Sequence, residues 1–297
     1  MKLIYIISIQ TYKILTKLVS PFILKAKQRI LGLKNQKNKT FNIDENKRIW
    51  FHCASLGEFE QGRPLIEKIK KENPETKIIL SFFSPSGYEI RKNFSLADEV
   101  CYLPFDSRKN AKEFILKYKP DIAIFVKYEF WHFFINELKL NNIPTFLISG
   151  IFRQNQMFFK AYGQFFRKIL RDFTYIFLQD ENSKLLLDSI NIKNSEISGD
   201  TRFDRVYEIS KNLLNIELID YFKKKSKIFI AGSTWNEDIE IIAEFINNQS
   251  AGIKTIIVPH ETTEESINKI KSLITRKTIR FSELNNTNSV DYDCLII

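Results

Sequence analysis

The run Arg48-Ile-Trp-Phe-His-Cys-Ala54 is followed at once by Ser55-Leu-Gly-Glu58 and an amphipathic stretch over residues 60–71. Seven residues without Gly or Pro, apolar on successive positions, read as a strand buried on both faces. The helical spacing that follows makes this a strand-to-helix unit. Outward from it the same alternation recurs. Strands are expected over residues 77–83, 99–103, 121–126, 145–149 and 175–179, with amphipathic stretches over 107–118 and 131–140 between them. Strands separated by helices pair in parallel through right-handed crossovers. A second series follows Asp204: a helix over 206–225, a strand over 227–231, a helix over 237–247, a strand over 255–258, a helix over 264–275, and strands over 278–281 and 293–297. The Asn-rich residues 285–289 read as a loop. The expected organisation is α/β with two parallel-sheet domains, residues 47–203 and 204–297, preceded by an arm (1–33) and a polar linker (34–46). The last strand stops inside its apolar run, so the sequence reads as a fragment or a truncated product with an incomplete second domain.

Charge separates the arm from the body. Residues 1–43 contain no Asp or Glu and carry Lys2, Lys13, Lys17, Lys25, Lys27, Arg29, Lys34, Lys37 and Lys39, which is nearly all of the net charge of +10. A nucleic-acid binder would carry its basic face on the folded domain. An arm both basic and apolar suits an anionic membrane surface. Its charge-free run, residues 3–12, is too short to span a bilayer, which needs roughly 18–20 residues. The expectation is a helix in the membrane interface with its lysines reaching head groups. A helix packed on the protein's own core is the alternative; a secretory signal lacks its cleavage site. Cys53, Cys101 and Cys294 are scattered and odd in number, which argues for a reducing compartment and against a disulfide framework or zinc site.

Five motifs sit at strand ends, where open α/β sheets gather ligands. In the first, Gly57 is expected to allow a tight turn and Glu58 to face the crevice as a proton acceptor. A helix-start Glu favoured by the macrodipole explains the same residue. The second is Lys127-Tyr-Glu-Phe-Trp131, where Glu129 is either a second acid in the cleft or another helix-start carboxylate. The third is Gly199-Asp-Thr-Arg-Phe-Asp204. There Arg202 either binds phosphate or neutralises a leaving group's charge, or is a solvated Arg or an ion-pair partner of Asp200 or Asp204. The fourth is Ala231-Gly-Ser-Thr-Trp235, where Ser233 and Thr234 suit phosphate at a helix N-terminus or cap the helix with Glu237. The fifth is Val258-Pro-His-Glu261, where a lone His260 fits a structural role as well as a functional one. Position 264 is Glu, so no HExxH zinc site is formed, and no Walker A, GxGxxG or GxSxG pattern is present.

Together the five motifs and the arm resemble the 3-deoxy-D-manno-octulosonic acid (Kdo) transferases of lipopolysaccharide assembly. The resemblance implies a GT-B fold: two Rossmann-like domains, the first receiving a lipid A precursor such as lipid IVA, the second holding CMP-Kdo. It implies docking on the cytoplasmic face of the inner membrane. It makes Glu58 the general base within Ser55-x-Gly57-Glu58. Glu129, and Arg202 at a usually Lys position, become stabilisers of the transition state. Ser233, Thr234, His260 and Glu261 fall on the donor side, where the family's usual Pro-Arg-His reads Pro259-His260-Glu261. The family continues with a Gly-rich loop and an acidic motif beyond the last residue here. The implied reaction is an inverting transfer with no cofactor, no metal and no nucleic acid. Two rivals stand beside it: another GT-B nucleotide-sugar transferase or epimerase, and an inactive truncated membrane-surface relative.

Overall fold

The computed structural model describes residues 1–37, 39–211, 215–248, 252–285 and 291–297, and the chain divides into two units, Met1–Lys211 and Asn212–Ile297. The first unit begins with helices α1 (Lys2–Val19) and α2 (Leu24–Gln36). It continues with β1 (Arg48–Cys53), α3 (Leu56–Glu72), β2 (Lys77–Phe82), α4 (Pro85–Arg91), β3 (Glu99–Tyr102) and α5 (Arg108–Tyr118). Then come β4 (Ile122–Val126), α6 (His132–Leu140), β5 (Thr145–Gly150), α7 (Gln164–Arg171), β6 (Tyr175–Leu178), α8 (Glu181–Ser189), β7 (Ser195–Ile197) and α9 (Thr201–Lys211).

The seven strands form one parallel sheet in the order β3-β2-β1-β4-β5-β6-β7. The two-residue period of a strand splits its core into two layers. Trp50, Phe125 and Leu147 join Phe114 and Phe134 on one face; Phe51, Cys53 and Leu80 join Phe59 and Ile66 of α3 on the other. Each such side chain contributes about 1.5–3 kcal/mol when fully buried. Strand β7 and helices α4, α7 and α8 add to the expected elements. All are short, and Ser195-Glu-Ile197 has no apolar run to announce an edge strand.

The arm is both packed and apolar outward. The Tyr5 hydroxyl donates to Asp106 Oδ2 at 2.5 Å, Tyr12 stacks on Phe83, and Thr16 and Arg29 are buried. Arg29 therefore does not reach outward with the arm's lysines, as its place in the basic series suggested. The opposite side exposes Leu3, Ile4, Ile7, Ile14, Leu15, Leu18 and Phe22. No helix among the described residues is long and apolar enough to cross a membrane. The expected linker is helical up to Gln36, whose side-chain amide clasps the backbone of Tyr102 in both directions.

The second unit holds α10 (Glu217–Lys223), β8 (Lys227–Thr234), α11 (Asn236–Asn248), β9 (Ile253–Pro259), α12 (Glu264–Leu273), β10 (Thr278–Arg280) and β11 (Cys294–Ile296). Its strands are parallel in the order β10-β11-β9-β8. The helix expected over 206–225 is two helices, α9 and α10, one in each unit; residues 212–214 lie outside the described residues. Of the loop expected over 285–289, residues 286–289 also lie outside them. Helix α9 stays with the first unit because Thr201 Oγ1 donates to Gln61 O of α3 at 2.6 Å and Arg205 approaches Glu60. Strand β8 departs from the two-faced burial of the first sheet: as an edge strand it leaves Ile230 exposed.

Candidate active site

Strand order in the first sheet reverses between β1 and β4. In doubly wound sheets the crevice for ligands opens outside the carboxyl ends of strands at such a reversal. Glu58 follows β1 and Glu129 follows β4. The backbone leaves these ends under strain: Lys127 after β4 and Ser149 in β5 have φ of +69° and +52°. Left-handed conformations of non-glycine residues cost about 1–3 kcal/mol each and cluster at functional sites.

Glu58 lies in the first turn of α3, half-buried. Its Oε2 accepts from the Ser55 backbone N–H at 2.8 Å and from the Ser55 hydroxyl. This is the reciprocal pairing of a helix-start Ser and a Glu three residues on. The helix-start reading of Glu58 is therefore realised, and it leaves the carboxylate without a paired cation among the described residues. The tight turn expected at Gly57 is absent. Gly57 sits inside α3, and an added Cβ would meet only Ser55 Oγ at 3.8 Å. The close-packed glycine here is Gly87 of α4, where a Cβ would fall 2.3 Å from the Phe82 ring and 3.0 Å from the backbone of Ser55.

Glu129 is buried and does not start a helix. The N–H groups of the first turn of α6 are met elsewhere: that of His132 by the Tyr5 hydroxyl, those of Phe133 and Phe134 by Asp106. Glu129 Oε2 lies 3.0 Å from His52 Nε2 and 2.5 Å from Trp131 Nε1. An indole nitrogen only donates and a carboxylate only accepts, so Trp131 donates to Glu129; the same indole nitrogen lies 3.0 Å from His52 Nε2, so the three side chains meet at one point. On its far side His52 Nδ1 meets Ser81 Oγ at 2.9 Å, and that oxygen accepts from Trp50 Nε1 at 2.7 Å. A buried chain thus runs Trp50–Ser81–His52–Glu129–Trp131 and fixes the carboxylate's orientation. Burial pushes the Cys53 thiol up, and the charges of Glu58 and Glu129 push it further. Both carboxylates therefore surround one strand end.

Arg202 is tied to the same helix as Glu58. Its Nε and Nη2 donate to Asp200 Oδ2 at 2.8 and 2.5 Å, while Gln61 Nε2 of α3 donates to Asp200 Oδ1 at 3.0 Å. The Asp200 hydrogen bonds overcome the effect of its partial burial and hold its carboxyl below the usual range. The guanidinium is otherwise exposed. The pairing with Asp200 is the one the sequence offered as the alternative to phosphate binding.

The second unit presents its own strand-end cluster. Ser233, with φ of +57°, turns its hydroxyl to His260 Nδ1 at 3.1 Å. The His260 and Trp235 rings stack with centroids 4.0 Å apart. Neither Ser233 nor Thr234 completes a cap with Glu237; Asp238 Oδ2 reaches back to the Trp235 N–H at 2.8 Å. Thr234 is buried and its hydroxyl has no partner among the described residues. Glu261 is exposed. No group of three or more His, Cys, Asp or Glu side chains gathers for a metal among the described residues.

Sequence reasoning missed His52, Ser81 and Trp131 as a polar system. The signal was there: a His inside an apolar strand requires a buried partner.

Two parallel α/β units in one chain, the first with carboxylates at its switch point, define a GT-B protein. The fold is that of a UDP-GlcNAc 2-epimerase from Neisseria meningitidis bound to UDP-GlcNAc, with a TM-score of 0.55 and 14% identity over 84% of this chain and 71% of that one. Residues 25–205 match the family model described as 3-deoxy-D-manno-octulosonic-acid transferase (kdotransferase), and the chain belongs to that family of glycosyltransferases. It is 26% identical to a bifunctional glycosyltransferase/methyltransferase of Fusobacterium nucleatum over 96% of this chain and 45% of that protein. It is 27% identical to a 3-deoxy-D-manno-octulosonic acid transferase of Chlamydia trachomatis over 74% of this chain and 53% of that protein. The chain spans about half the length of these two relatives.

Proposed function

We propose that this chain carries the acceptor side and part of the donor side of an enzyme that moves Kdo from CMP-Kdo to a lipid A precursor, lipid IVA, with inversion at the anomeric carbon. The observation that carries the reading is Glu58. It is half-buried at the switch point, anchored through one oxygen by Ser55, and unpaired with any cation among the described residues. Such a carboxylate can take the proton of an acceptor hydroxyl as it attacks the anomeric carbon. The bond to the CMP phosphate breaks as the new glycosidic bond forms, through an oxocarbenium-like transition state. Glu129, held rigid by His52 and Trp131, would offer negative charge to that developing cation. Arg202 would meet the developing negative charge of the leaving phosphate, at the cost of sharing its guanidinium with Asp200. Ser233, Thr234 and His260 would receive the donor, with Glu261 beside them. Ser55 and Gly57 would line the acceptor approach.

The arm supports a location on the cytoplasmic face of the inner membrane. It combines an outward apolar side with exposed Lys17, Lys25 and Lys27 in its basic series. The rival reading, UDP-sugar chemistry, rests on likeness of fold alone.

The test is transfer from CMP-Kdo to lipid IVA by the full-length protein, with UDP-GlcNAc as the competing donor. Turnover with CMP-Kdo alone supports the reading. Turnover with UDP-GlcNAc alone replaces it.

A further inference from the structure

Between the α1–α2 pair and the turn joining β2 to α4 runs a groove of about 430 Å³. That volume falls within the roughly 300–1,000 Å³ of small-ligand sites. Its apolar walls include Leu15, Val19, Ala26 and Phe83, and two cations line it, Lys25 and Arg29. Lys25 is exposed; Arg29 is 2% exposed.

Arg29 is an unusual wall. Its guanidinium donates to Phe83 O and, at 3.0 Å, to Leu103 O, and lies 3.7 Å from the centre of the Phe83 ring. Its Nε has no hydrogen-bond partner, and no carboxylate pairs with it among the described residues. Burial lowers its pKa to about 10, which keeps it charged at neutral pH. Carbonyl dipoles and a ring face offset part of the cost of burying a cation; an anion is the partner such a site lacks.

The groove also shares a wall with the candidate active site. The Phe83 ring stacks on Trp131 with centroids 4.7 Å apart, and Trp131 donates to Glu129. The Ser84 N–H donates to Ala54 O at 2.6 Å, immediately before Ser55. On the outside, exposed Leu15 leads along the arm to Leu18 and Phe22.

We propose that this groove takes one acyl chain of the phosphate-bearing acceptor lipid, with the phosphate held by Lys25 and Arg29. The identity of that lipid as the acceptor rests on the transfer reaction proposed above. The preference for an anionic single chain rests on the groove alone.

The probe is myristoyl lysophosphatidic acid, monomeric in solution, titrated calorimetrically into the full-length protein. Myristoyl lysophosphatidylcholine and inorganic phosphate serve as comparators. The acid is expected to bind at least about tenfold more tightly than the choline lipid, a difference of about 1.4 kcal/mol. Ala26→Phe fills the apolar wall and should weaken the acid by about tenfold or more. Lys25→Glu, at an exposed position, should weaken it about threefold or more without disturbing the fold. Equal affinity for the two lysolipids overturns the proposal, as does inorganic phosphate binding as tightly as the acid. So does unchanged binding in both variants. Normal transfer by an Ala26→Phe protein that no longer binds the acid overturns the acceptor assignment and leaves the reaction standing. Lipid binding without transfer from CMP-Kdo removes the reaction and leaves the groove standing.

Discussion

The two units carry their strand-end chemistry in opposite ways. In the first, polar groups are sunk into the sheet: His52 and Ser81 are fully buried and Glu129 nearly so, and hydrogen bonds link all three. In the second, the cluster stands in solvent: Trp235 is half exposed and stacks on an exposed His260, which meets Ser233. Burial raises the stake of every hydrogen bond, because a lost partner leaves a desolvated group unpaired. The first arrangement therefore suits a carboxylate whose direction must not vary. The second suits a surface whose groups exchange water for a ligand at little structural cost.

The largest effect should come from the first region. Glu58→Ala is expected to lower the transfer rate by at least about a hundredfold, a typical acid–base contribution. Loss of its helix-start bond to Ser55 costs about 1 kcal/mol of stability besides. Glu58→Gln keeps a side chain that can accept from the Ser55 N–H. It should recover the stability and not the rate. A Gln variant with near-normal turnover would leave Glu58 as a helix cap alone.

Next in size is the buried chain. His52→Ala removes one buried partner from each of Ser81 and Glu129, which keep Trp50 and Trp131, and should destabilise the first unit by about 1–3 kcal/mol. Hydrogen exchange at β1 and β2 amides reads this without interference from the second unit. If β1 protection is unchanged, the chain does not bind the strand end together.

How much of this was legible follows from what a sequence can encode locally. Both sheets were readable because Trp50-Phe51 in the first and Ile256-Ile257 in the second belong to apolar runs that suit buried strands. The acids were readable because each follows such a run. What was not readable depends on partners distant in sequence. By sequence Glu129 is fit to start a helix, but Asp106, distant in the chain, takes that place for α6. By sequence Arg29 is one more lipid-facing cation, but α2 turns it inward. Gly57 suggested a turn that α3 simply continues through. Short elements such as α4 and β7 have too few residues to show a period.

The pH response separates the regions further. Beside α1, burial raises the Asp106 carboxyl to about 6, while burial and the nearby Lys2 and Lys168 charges lower His132 to about 4. Asp106 binds its proton more tightly when folded, so its contribution is complete below about 4 and is lost as pH rises through 6. His132 resists protonation when folded, so its contribution is present above about 6.5 and is lost as pH falls through 4. The two windows overlap and largely offset one another in the wild type. Single variants should unmask them. Asp106→Asn should make the arm's packing weaken between pH 6.5 and 4. His132→Phe should make it tighten over the same interval as pH falls. Each change is of order 1–3 kcal/mol. Chemical denaturation at closely spaced pH values reads both. Parallel pH curves for the two variants would dissociate the groups from the arm.

The smallest structural effect belongs to the exposed cluster. Trp235 contributes one stack to His260 and stays half exposed, so Trp235→Ala should cost the second unit only about 0.5–1.5 kcal/mol. If the stack is a platform for a nucleotide base, the same variant should raise the KM for CMP-Kdo several-fold while kcat moves little, because uniform binding is what is lost. Ser233→Ala tests the neighbouring hydroxyl in the same way and should leave stability within about 0.5 kcal/mol. Hydrogen exchange at β8 and β9 gives the structural half of the measurement and donor titration the functional half. Should Trp235→Ala instead unfold the second unit, the contrast between a buried and a solvent-facing strand end would fail, and Trp235 would belong to the core. An unchanged KM would show that the donor base rests elsewhere.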